Sequence, residues 1–186
     1  MFNMQSPQQG SLLLSEPFML DPTFERSVVL LCEHNNEGSI GIILNHRSQL
    51  KLSDVMDSEV VDFPLYIGGP VQSNAIFFIH RAFDKINDGT IIHNDIYWGG
   101  DFDKAILLIN EGILKQDEIK FFLGYSGWSD GQLAEEITQN SWAVHNRFHS
   151  ALTFITDGED LWKQALISLG PKYAHVANFP KTPNLN

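Results

Sequence analysis

The sequence predicts a mixed α/β fold, α+β-like in character, in which helices pack on the outside of a mixed β-sheet. Segments with strand-like and helix-like patterns are interspersed along the chain of 186 residues. A hairpin-like pair of strands also occurs, which argues against a pure series of βαβ units. The apolar fraction of 43% and the charged fraction of 19% are typical of a globular chain, and the length fits one domain.

The first part of the chain predicts a β-hairpin. Residues 1–9 are polar and are expected to form a flexible leader, followed by a first strand at Gly10–Ser15. Ser27–Glu33 is a nearly continuous apolar run, which is typical of a strand buried on both faces. The polar residues 35–38 favour a turn, and Ser39–Asn45 has the pattern of the next strand. The two strands on either side of that turn are therefore expected to pair.

Short strands dominate the middle of the chain. Leu52, Val55 and Met56 have the spacing of one helical face, so a short helix is predicted there first. Four strand-like segments follow, namely Leu65–Ile67, Ala75–Arg81, Thr90–His93 and Ile96–Trp98. The first of these strands ends at Gly68-Gly69-Pro70, which favours a tight turn.

The next part predicts a helix, a strand and another helix. Asp101 is the expected N-cap of a helix that ends near Gly112. Ile119–Tyr125 is an apolar strand, and Ser126–Ser129 is expected to be a glycine-rich turn. The last residue of that turn and Gln132 match a capping box, so a helix is expected to begin there.

The C-terminal part predicts a strand, a helix and a tail. Ser150–Thr156 has the pattern of a strand. Its last residue and Glu159 match a second capping box, and the helix that follows is expected to stop at Gly170. Residues 176–186 are expected to be a tail, which leaves one domain over residues 10–175.

Charge and cysteine content exclude several classes of protein. The chain carries 12 basic and 23 acidic side chains, for a net charge of −11. Because phosphate backbones are bound through clustered Lys and Arg, nucleic acid is not an expected partner. The lone cysteine, Cys32, excludes an intramolecular disulfide and suits a reducing cytoplasm. No signal peptide and no apolar run of the roughly 20 residues of a membrane span is visible, so no membrane partner is expected.

No complete catalytic or cofactor motif occurs in the sequence. Gly124–Trp128 comes close to a nucleophile elbow, but an indole stands where the motif needs its last glycine. His145 and His149 have the spacing of one helical face, yet the glutamate of a zincin motif is absent between them. Cys32 and His34 alternate on one strand and could form a thiolate pair. A structural role is favoured for each set, so we expect no catalytic residue, no metal and no cofactor.

Three ordered blocks of the sequence resemble the AlgH/YqgE family of bacterial proteins. The blocks are Gly10–Asn45, Gly68–Val71 with His80, and Gly124–Trp142, and the resemblance extends over about residues 10–170. It implies an α/β fold with a bent mixed sheet that approaches a pseudo-barrel and carries helices outside. Some members are labelled transcriptional regulators, but the resemblance supplies no agreed catalytic residue, cofactor or substrate.

The chain departs from the family pattern at two places. His46 and Arg47 follow Asn45 where the family often has Arg-Pro, and Ala134 stands where the family often has Glu. The second departure argues against an indispensable catalytic role for that position.

The sequence leaves three functions open. The favoured one is a non-enzymatic cytoplasmic protein with a regulatory or interaction role, acting through a protein partner or a small ligand. The second is an enzyme with a pocket at the glycine-rich strand ends, where α/β folds place ligands. Its candidate lining residues are His34, Gly68, Gly69, Gly124, Gly127, Trp128 and Gln132. The third is a direct DNA-binding regulator, which requires folding to assemble a basic patch from residues such as Arg26, Arg47 and Arg81.

Overall fold

A computed structural model of the chain describes residues 5–56, 59–155 and 157–181. The strands in these ranges are β1 (Leu12–Ser15), β2 (Val28–Asn35), β3 (Gly38–Ile43), β4 (Arg47–Lys51), β5 (Pro64–Ile67), β6 (Val71–His80), β7 (Thr90–His93), β8 (Ile96–Trp98), β9 (Ile119–Ser129) and β10 (Trp142–His145). The helices are α1 (Leu52–Val55), α2 (Phe83–Ile86), α3 (Phe102–Asn110), α4 (Gln132–Thr138), α5 (Ala151–Ile155), α6 (Gly158–Leu169) and α7 (Pro171–Ala174), followed by a 3-10 helix at Val176–Asn178. Among the described helices, none combines the length and the hydrophobicity that a bilayer span requires.

The long strand β9 connects all parts of the sheet. Its first half, residues 119–123, pairs in parallel with β5 and antiparallel with β6. Its second half, residues 126–129, pairs antiparallel with β3. The resulting strand order is β10-β1-β2-β3-β9-β6-β8-β7, with β4 joined through β5. Since one pair is parallel and the others are antiparallel, the predicted mixed sheet is confirmed.

The two faces of the sheet are covered differently. One face carries a continuous apolar cluster, the inner cluster, which draws on both ends of the strand order, with Ala143 from β10 and Ile92 from β7. Helix α6 adds Trp162 to this cluster. On the opposite face, α3 covers a second cluster and α4 covers a third. A bent sheet explains why one face carries a single apolar cluster and the other carries two. Bending brings the side chains on the concave face together.

The two ends of the bent sheet approach each other without pairing. The ring of His93, on β7, stacks on Phe148, just beyond β10, with 4.0 Å between centroids. Gly10, ahead of β1, lies so close to β7 that an added Cβ would be 2.0 Å from the carbonyl oxygen of Ile92. No backbone ladder joins these ends in the described ranges, so the expected pseudo-barrel is a bent, open sheet of ten strands.

Several predicted elements are confirmed. β2 and β3 form the expected hairpin, although its loop has only two residues because Asn35 pairs with Gly38. The apolar residues of β2 are fully buried, as expected of a strand covered on both faces. Asp101 caps α3, where its side chain accepts a hydrogen bond of 2.9 Å from the backbone N–H of Lys104. Helix α6 ends just before Gly170, as predicted.

The strand prediction for Ser150–Thr156 is wrong, because residues 151–155 form the helix α5. The carbonyl oxygen of Ser150 accepts bonds from both the N–H and the hydroxyl of Thr153, which closes a helical turn. Phe154 then packs in the inner cluster. Tertiary packing therefore outweighs the strand propensity of these residues.

The N-cap of α6 differs from the one that the second capping box predicts. Asp157, rather than its neighbour, is the N-cap of α6 and accepts a hydrogen bond of 2.7 Å from the N–H of Gly158. Thr156 itself lies outside the described residues. The contact that the capping box predicts between Thr156 and Glu159 therefore stays a prediction. The carboxylate of Glu159 pairs with Arg26 and with two lysines, Lys163 and Lys181. Arg26 and Lys181 are distant from Glu159 in the sequence, whereas Lys163 lies one turn farther along α6.

The turn expected at Ser126–Ser129 is also wrong, because β9 continues through these residues and pairs with β3. The strand changes direction instead at Gly124, whose φ of +68° lies in the left-handed region. Helix α4 begins after Gly131, and only half of its predicted capping box forms. The side-chain oxygen of Gln132 accepts bonds from the N–H and the hydroxyl of Ser129.

The sequence patterns missed β4, β10, α2, α7 and the 3-10 helix. The last of these falls in the expected tail, and Ala177 within it is buried in the inner cluster. The expected domain limits of 10 and 175 stay a prediction, and the first four residues of the expected leader lie outside the described ranges.

We predict that Gly124→Ala destabilises the fold by at least about 2 kcal/mol more than Gly99→Ala. The two glycines have nearly the same φ, +68° and +65°, a left-handed value that strains an alanine at either position. An added Cβ at Gly124 would lie 2.5 Å from the carbonyl oxygen of Gly69, whereas one at Gly99 meets nothing within 4 Å. Urea unfolding of the two variants measures the difference. Equal midpoints would contradict the role of close backbone approach.

Candidate functional site

Three of the seven predicted pocket residues serve close packing of the backbone. Gly68, Gly69 and Gly124 lie where the end of β5, the start of β6 and the middle of β9 meet. A Cβ on Gly68 would be 2.3 Å from the carbonyl oxygen of Gly124, and one on Gly69 would be 2.2 Å from that of Tyr125. These glycines therefore allow three backbone segments to approach, a role that needs no ligand.

The other four lie farther along the sheet, near the hairpin of β2 and β3. Gly127 and Trp128 line a shallow groove of about 390 Å³ there, together with side chains of the hairpin. His34 bonds through Nδ1 to the hydroxyl of Ser39, at 2.7 Å. Gln132 donates to the carboxylate of Glu136, at 2.9 Å. The seven residues thus fall into two groups rather than around one pocket.

Glu136 connects the indoles of two buried tryptophans. Its Oε2 accepts hydrogen bonds from Nε1 of Trp128, at 2.9 Å, and from Nε1 of Trp142, at 2.7 Å. The rings of the two tryptophans meet edge to face, 6.0 Å apart. This carboxylate therefore joins α4 to β9 and β10, and it is the partner of two of the predicted site residues, Trp128 and Gln132.

The remaining candidates from the sequence are the pairs Cys32–His34 and His145–His149. Cys32 is fully buried, and burial raises the pKa of its thiol well above the usual value, which disfavours a thiolate. His145 lies on β10 rather than on a helix, so its spacing to His149 does not place the two rings on one helical face. Its Nε2 bonds to the hydroxyl of Ser168, at 2.8 Å. Within the described ranges, no group of three His, Cys, Asp or Glu side chains could hold a metal ion.

The structure contains a cavity that the sequence patterns did not indicate. It has a volume of about 370 Å³, within the range of small-molecule sites. Its wall comes from β4, β5, β9, α5 and the N-cap of α6. The lining residues are Arg47, Pro64, Tyr66, Gln116, Asp117, Ile119, Lys120, Phe154 and Asp157. We call this the Lys120 cavity, after its only lysine.

Lys120 is a buried cation, with 4% of its surface exposed. Its Nζ donates to the backbone carbonyl oxygens of Leu44, at 3.2 Å, and Thr153, at 3.0 Å. The nitrogen also lies 4.4 Å from the ring centroid of Tyr66. Burial lowers the pKa of this amine from 10.5 to about 8, with Arg47 adding to the decrease and Asp157 opposing it.

A tyrosine and a carboxylate complete the inner wall of the cavity. The hydroxyl of Tyr66 donates to Oδ2 of Asp157, at 3.0 Å. The other oxygen of this carboxylate caps α6, so both oxygens have donors. Burial, reinforced by the negative charge of Asp157, raises the pKa of Tyr66 and keeps its phenol protonated.

Arg47 supplies an exposed cation at the same cavity. It begins β4 and is one of the two residues, with His46, at which the chain departs from the Arg-Pro of the family pattern. In the described part of the chain, no carboxylate forms an ion pair with its guanidinium, whereas Asp117 on the same cavity pairs with Arg81 at 3.5 Å. An unpaired guanidinium and a buried amine can together hold an anion.

One sequence signal could have indicated this site. Lys120 stands inside the otherwise apolar run of Ile119–Leu123, and strand alternation places it on the same side as Phe122, in the core. A lysine at a core position is uncommon unless its amine has partners. Those partners come from distant parts of the chain, so their presence could not be predicted.

We predict that Glu136→Ala costs about 2–4 kcal/mol of unfolding free energy, because it removes a charged acceptor from two buried indoles. The matched control is Glu135→Ala, which removes an exposed carboxylate from the same helix and is expected to cost far less. Urea unfolding followed by tryptophan fluorescence compares the two variants. Similar losses in both would contradict the role of Glu136.

We predict that Lys120 makes the fold more stable as pH rises from about 8 to 10.5. Below this window the amine is protonated in both the folded and the unfolded chain. Within it, the unfolded chain binds more protons, because the folded pKa is the lower one, so the free energy of unfolding increases with pH. Comparison with Lys120→Met isolates this effect, which reaches about 3 kcal/mol at the upper end. Parallel pH profiles of the two proteins would rule it out.

Comparisons with known proteins agree with this fold. The family model described as AlgH-like matches residues 12–174. A UPF0301 protein from Cytophaga hutchinsonii is 42% identical, and the alignment covers 96% of this chain and 98% of that protein. A UPF0301 protein from Parabacteroides distasonis is 44% identical, with 97% of this chain and 92% of that protein covered. The solution structure of AlgH from Pseudomonas aeruginosa has a TM-score of 0.72 at 26% identity, covering 96% of this chain and 98% of that one. A crystal structure from Corynebacterium diphtheriae has a TM-score of 0.77 at 24% identity, covers 95% of each chain, and supports the fold alone. With a family model matched over most of its length and relatives above 40% identity, the chain belongs to the AlgH-like family.

Proposed function

We propose that the chain is a non-enzymatic regulatory protein of the cytoplasm that binds a small carboxylate-bearing ligand in the Lys120 cavity. The observation that carries this proposal is the unpaired guanidinium of Arg47 on a cavity whose wall holds the buried amine of Lys120. Guanidinium groups bind carboxylates through two parallel hydrogen bonds. The cytoplasmic location rests on the single cysteine, Cys32, which is buried as a free thiol.

The wall of the cavity offers a route from ligand binding to regulation. Arg47 lies on β4, Tyr66 on β5, Lys120 on β9 and Phe154 on α5, so one ligand contacts four separate elements. A ligand that bridges them stabilises the arrangement in which they lie close together.

The distribution of basic side chains favours a small ligand over DNA. Arg26 is buried, with 4% of its surface exposed, and pairs with Glu159. Arg81 pairs with Asp117. Of the three arginines that a DNA-binding patch would draw on, only Arg47 is both exposed and unpaired within the described ranges. Such a surface offers few cations to a phosphate backbone.

The glycine-rich strand ends support packing better than catalysis. An enzyme centred on Gly68, Gly69 and Gly124 requires open space at these residues, and each of them faces neighbouring backbone within 3 Å of an added Cβ. This observation favours the Lys120 cavity over the glycine-rich motifs as the place where a ligand binds.

We predict that small carboxylates stabilise the protein against heat, and that Arg47→Gln weakens their binding about 10- to 100-fold. Acetate, lactate, pyruvate and succinate are the probes, and the thermal shift is measured over a range of concentrations. A ligand at 100 times its Kd adds about 2.7 kcal/mol of stability. The matched control is Arg147→Gln, which removes an exposed guanidinium that does not line the cavity. No shift with any probe, or equal weakening by both variants, would refute the proposed site.

A further inference from the structure

The charged side chains that line the Lys120 cavity balance one another. Arg47 and Lys120 each bring one positive charge to its wall, and Asp117 and Asp157 each bring one negative charge. The other lining residues carry no formal charge, since the phenol of Tyr66 stays protonated. A ligand with one positive and one negative group preserves this balance, whereas a ligand with a net charge disturbs it.

Two of these four charges already have their contacts within the chain. The ammonium of Lys120 has three hydrogens, and two backbone carbonyl oxygens and the ring of Tyr66 take them up. Each oxygen of the Asp157 carboxylate accepts a hydrogen bond, one from the hydroxyl of Tyr66 and one from the N–H at the start of α6. Lys120 and Asp157 therefore act on a ligand through their charge rather than through direct hydrogen bonds.

Arg47 and Asp117 are the two charged groups that a ligand can contact directly. Among the described residues, no carboxylate forms an ion pair with Arg47, and the one cation that pairs with Asp117 is Arg81, at 3.5 Å from Oδ2. That distance is longer than the roughly 2.8 Å of a charge-assisted hydrogen bond. The carboxylate of Asp117 is also exposed, with 56% of its side-chain surface accessible. It is therefore open to a second cation that approaches closely.

The rest of the wall suits a short apolar group. Pro64, Ile119 and Phe154 line the cavity, and the last two are almost fully buried. The volume of about 370 Å³ is near the lower end of the range for small-molecule sites. A ligand that matches this wall carries two opposite charges close together and a small apolar group beside them.

An α-amino acid has this combination, because its carboxylate, its ammonium and its side chain share one carbon. We propose that the Lys120 cavity binds an α-amino acid with an apolar side chain, with Arg47 holding the carboxylate and Asp117 holding the ammonium. This inference rests on the proposed function, which places a carboxylate at Arg47, and adds the second charged group of the ligand. Asp117 then gains charge-assisted hydrogen bonds that Arg81, at 3.5 Å, does not supply.

Leucine and 4-methylpentanoate test the role of the ammonium, because the two molecules differ only in that group. Their binding to the full chain is measured by isothermal titration calorimetry near neutral pH. We expect leucine to bind about tenfold more tightly or better, because a charge-assisted hydrogen bond is gained. Asp117→Asn should weaken leucine and leave 4-methylpentanoate bound at least as tightly as before, because it removes a negative charge that repels a carboxylate.

The matched control is Asp95→Asn. Asp95 is exposed and lines a neighbouring groove together with Arg81 and Asp117, but it does not line the Lys120 cavity. This variant changes the net charge by the same amount as Asp117→Asn. It should change the preference for leucine by less than about twofold, since exposed charges at a distance are screened by salt.

The outcomes separate this inference from the proposed function. If both ligands bind in a manner that depends on Arg47, but leucine binds no more tightly than 4-methylpentanoate, the inference is wrong and the proposed function stands. A preference for leucine that survives in Asp117→Asn, or that is lost equally in Asp95→Asn, also overturns the inference. If leucine does not bind and no carboxylate binds, both proposals are wrong.

Discussion

The backbone pairing of β9 is the constraint on which the rest of the structure depends. This strand pairs with β5, β6 and β3, and so connects both halves of the sheet. It can do so because Gly124 takes a left-handed conformation and lets the backbones at Gly69 and Val71 approach closely. Each added side chain at this crossing would meet backbone atoms, which cannot move aside independently. The glycines therefore determine the bend of the sheet and, with it, the enclosure of the inner cluster.

The same strand places the Lys120 cavity. β9 enters the sheet at Ile119, and the next residue is directed to the inner side, where the carbonyls of Leu44 and Thr153 receive its amine. A charge is costly in such surroundings, and two hydrogen bonds and an aromatic ring offset only part of that cost. The remainder appears as the lowered pKa of Lys120. A buried amine with a lowered pKa beside an open cavity is a pattern found more often at functional sites than elsewhere.

Sequence patterns predicted the elements whose stability is local. The hairpin of β2 and β3, the cap at Asp101 and the stop at Gly170 all depend on residues close together in the chain. The patterns failed where distant contacts decide. α5 was expected to be a strand, but the bonds at Ser150 and the packing of Phe154 make it helical. The candidate pocket of seven motif residues stays a prediction, although three of its glycines meet neighbouring backbone and Trp128 and Gln132 bond to the carboxylate of Glu136.

The sequence by itself determined the fold class, the family resemblance and the depth at which β2 is buried, because these follow from apolar periodicity and from motifs of contiguous residues. Only the tertiary structure decided where the chain could bind a ligand. The cavity residues come from distant parts of the sequence: Arg47 and Asp157 are 110 residues apart, and Tyr66 and Lys120 lie between them. Their chemistry depends on distances, burial and neighbouring charge, and these quantities exist only once the sheet has bent and α6 has packed on it.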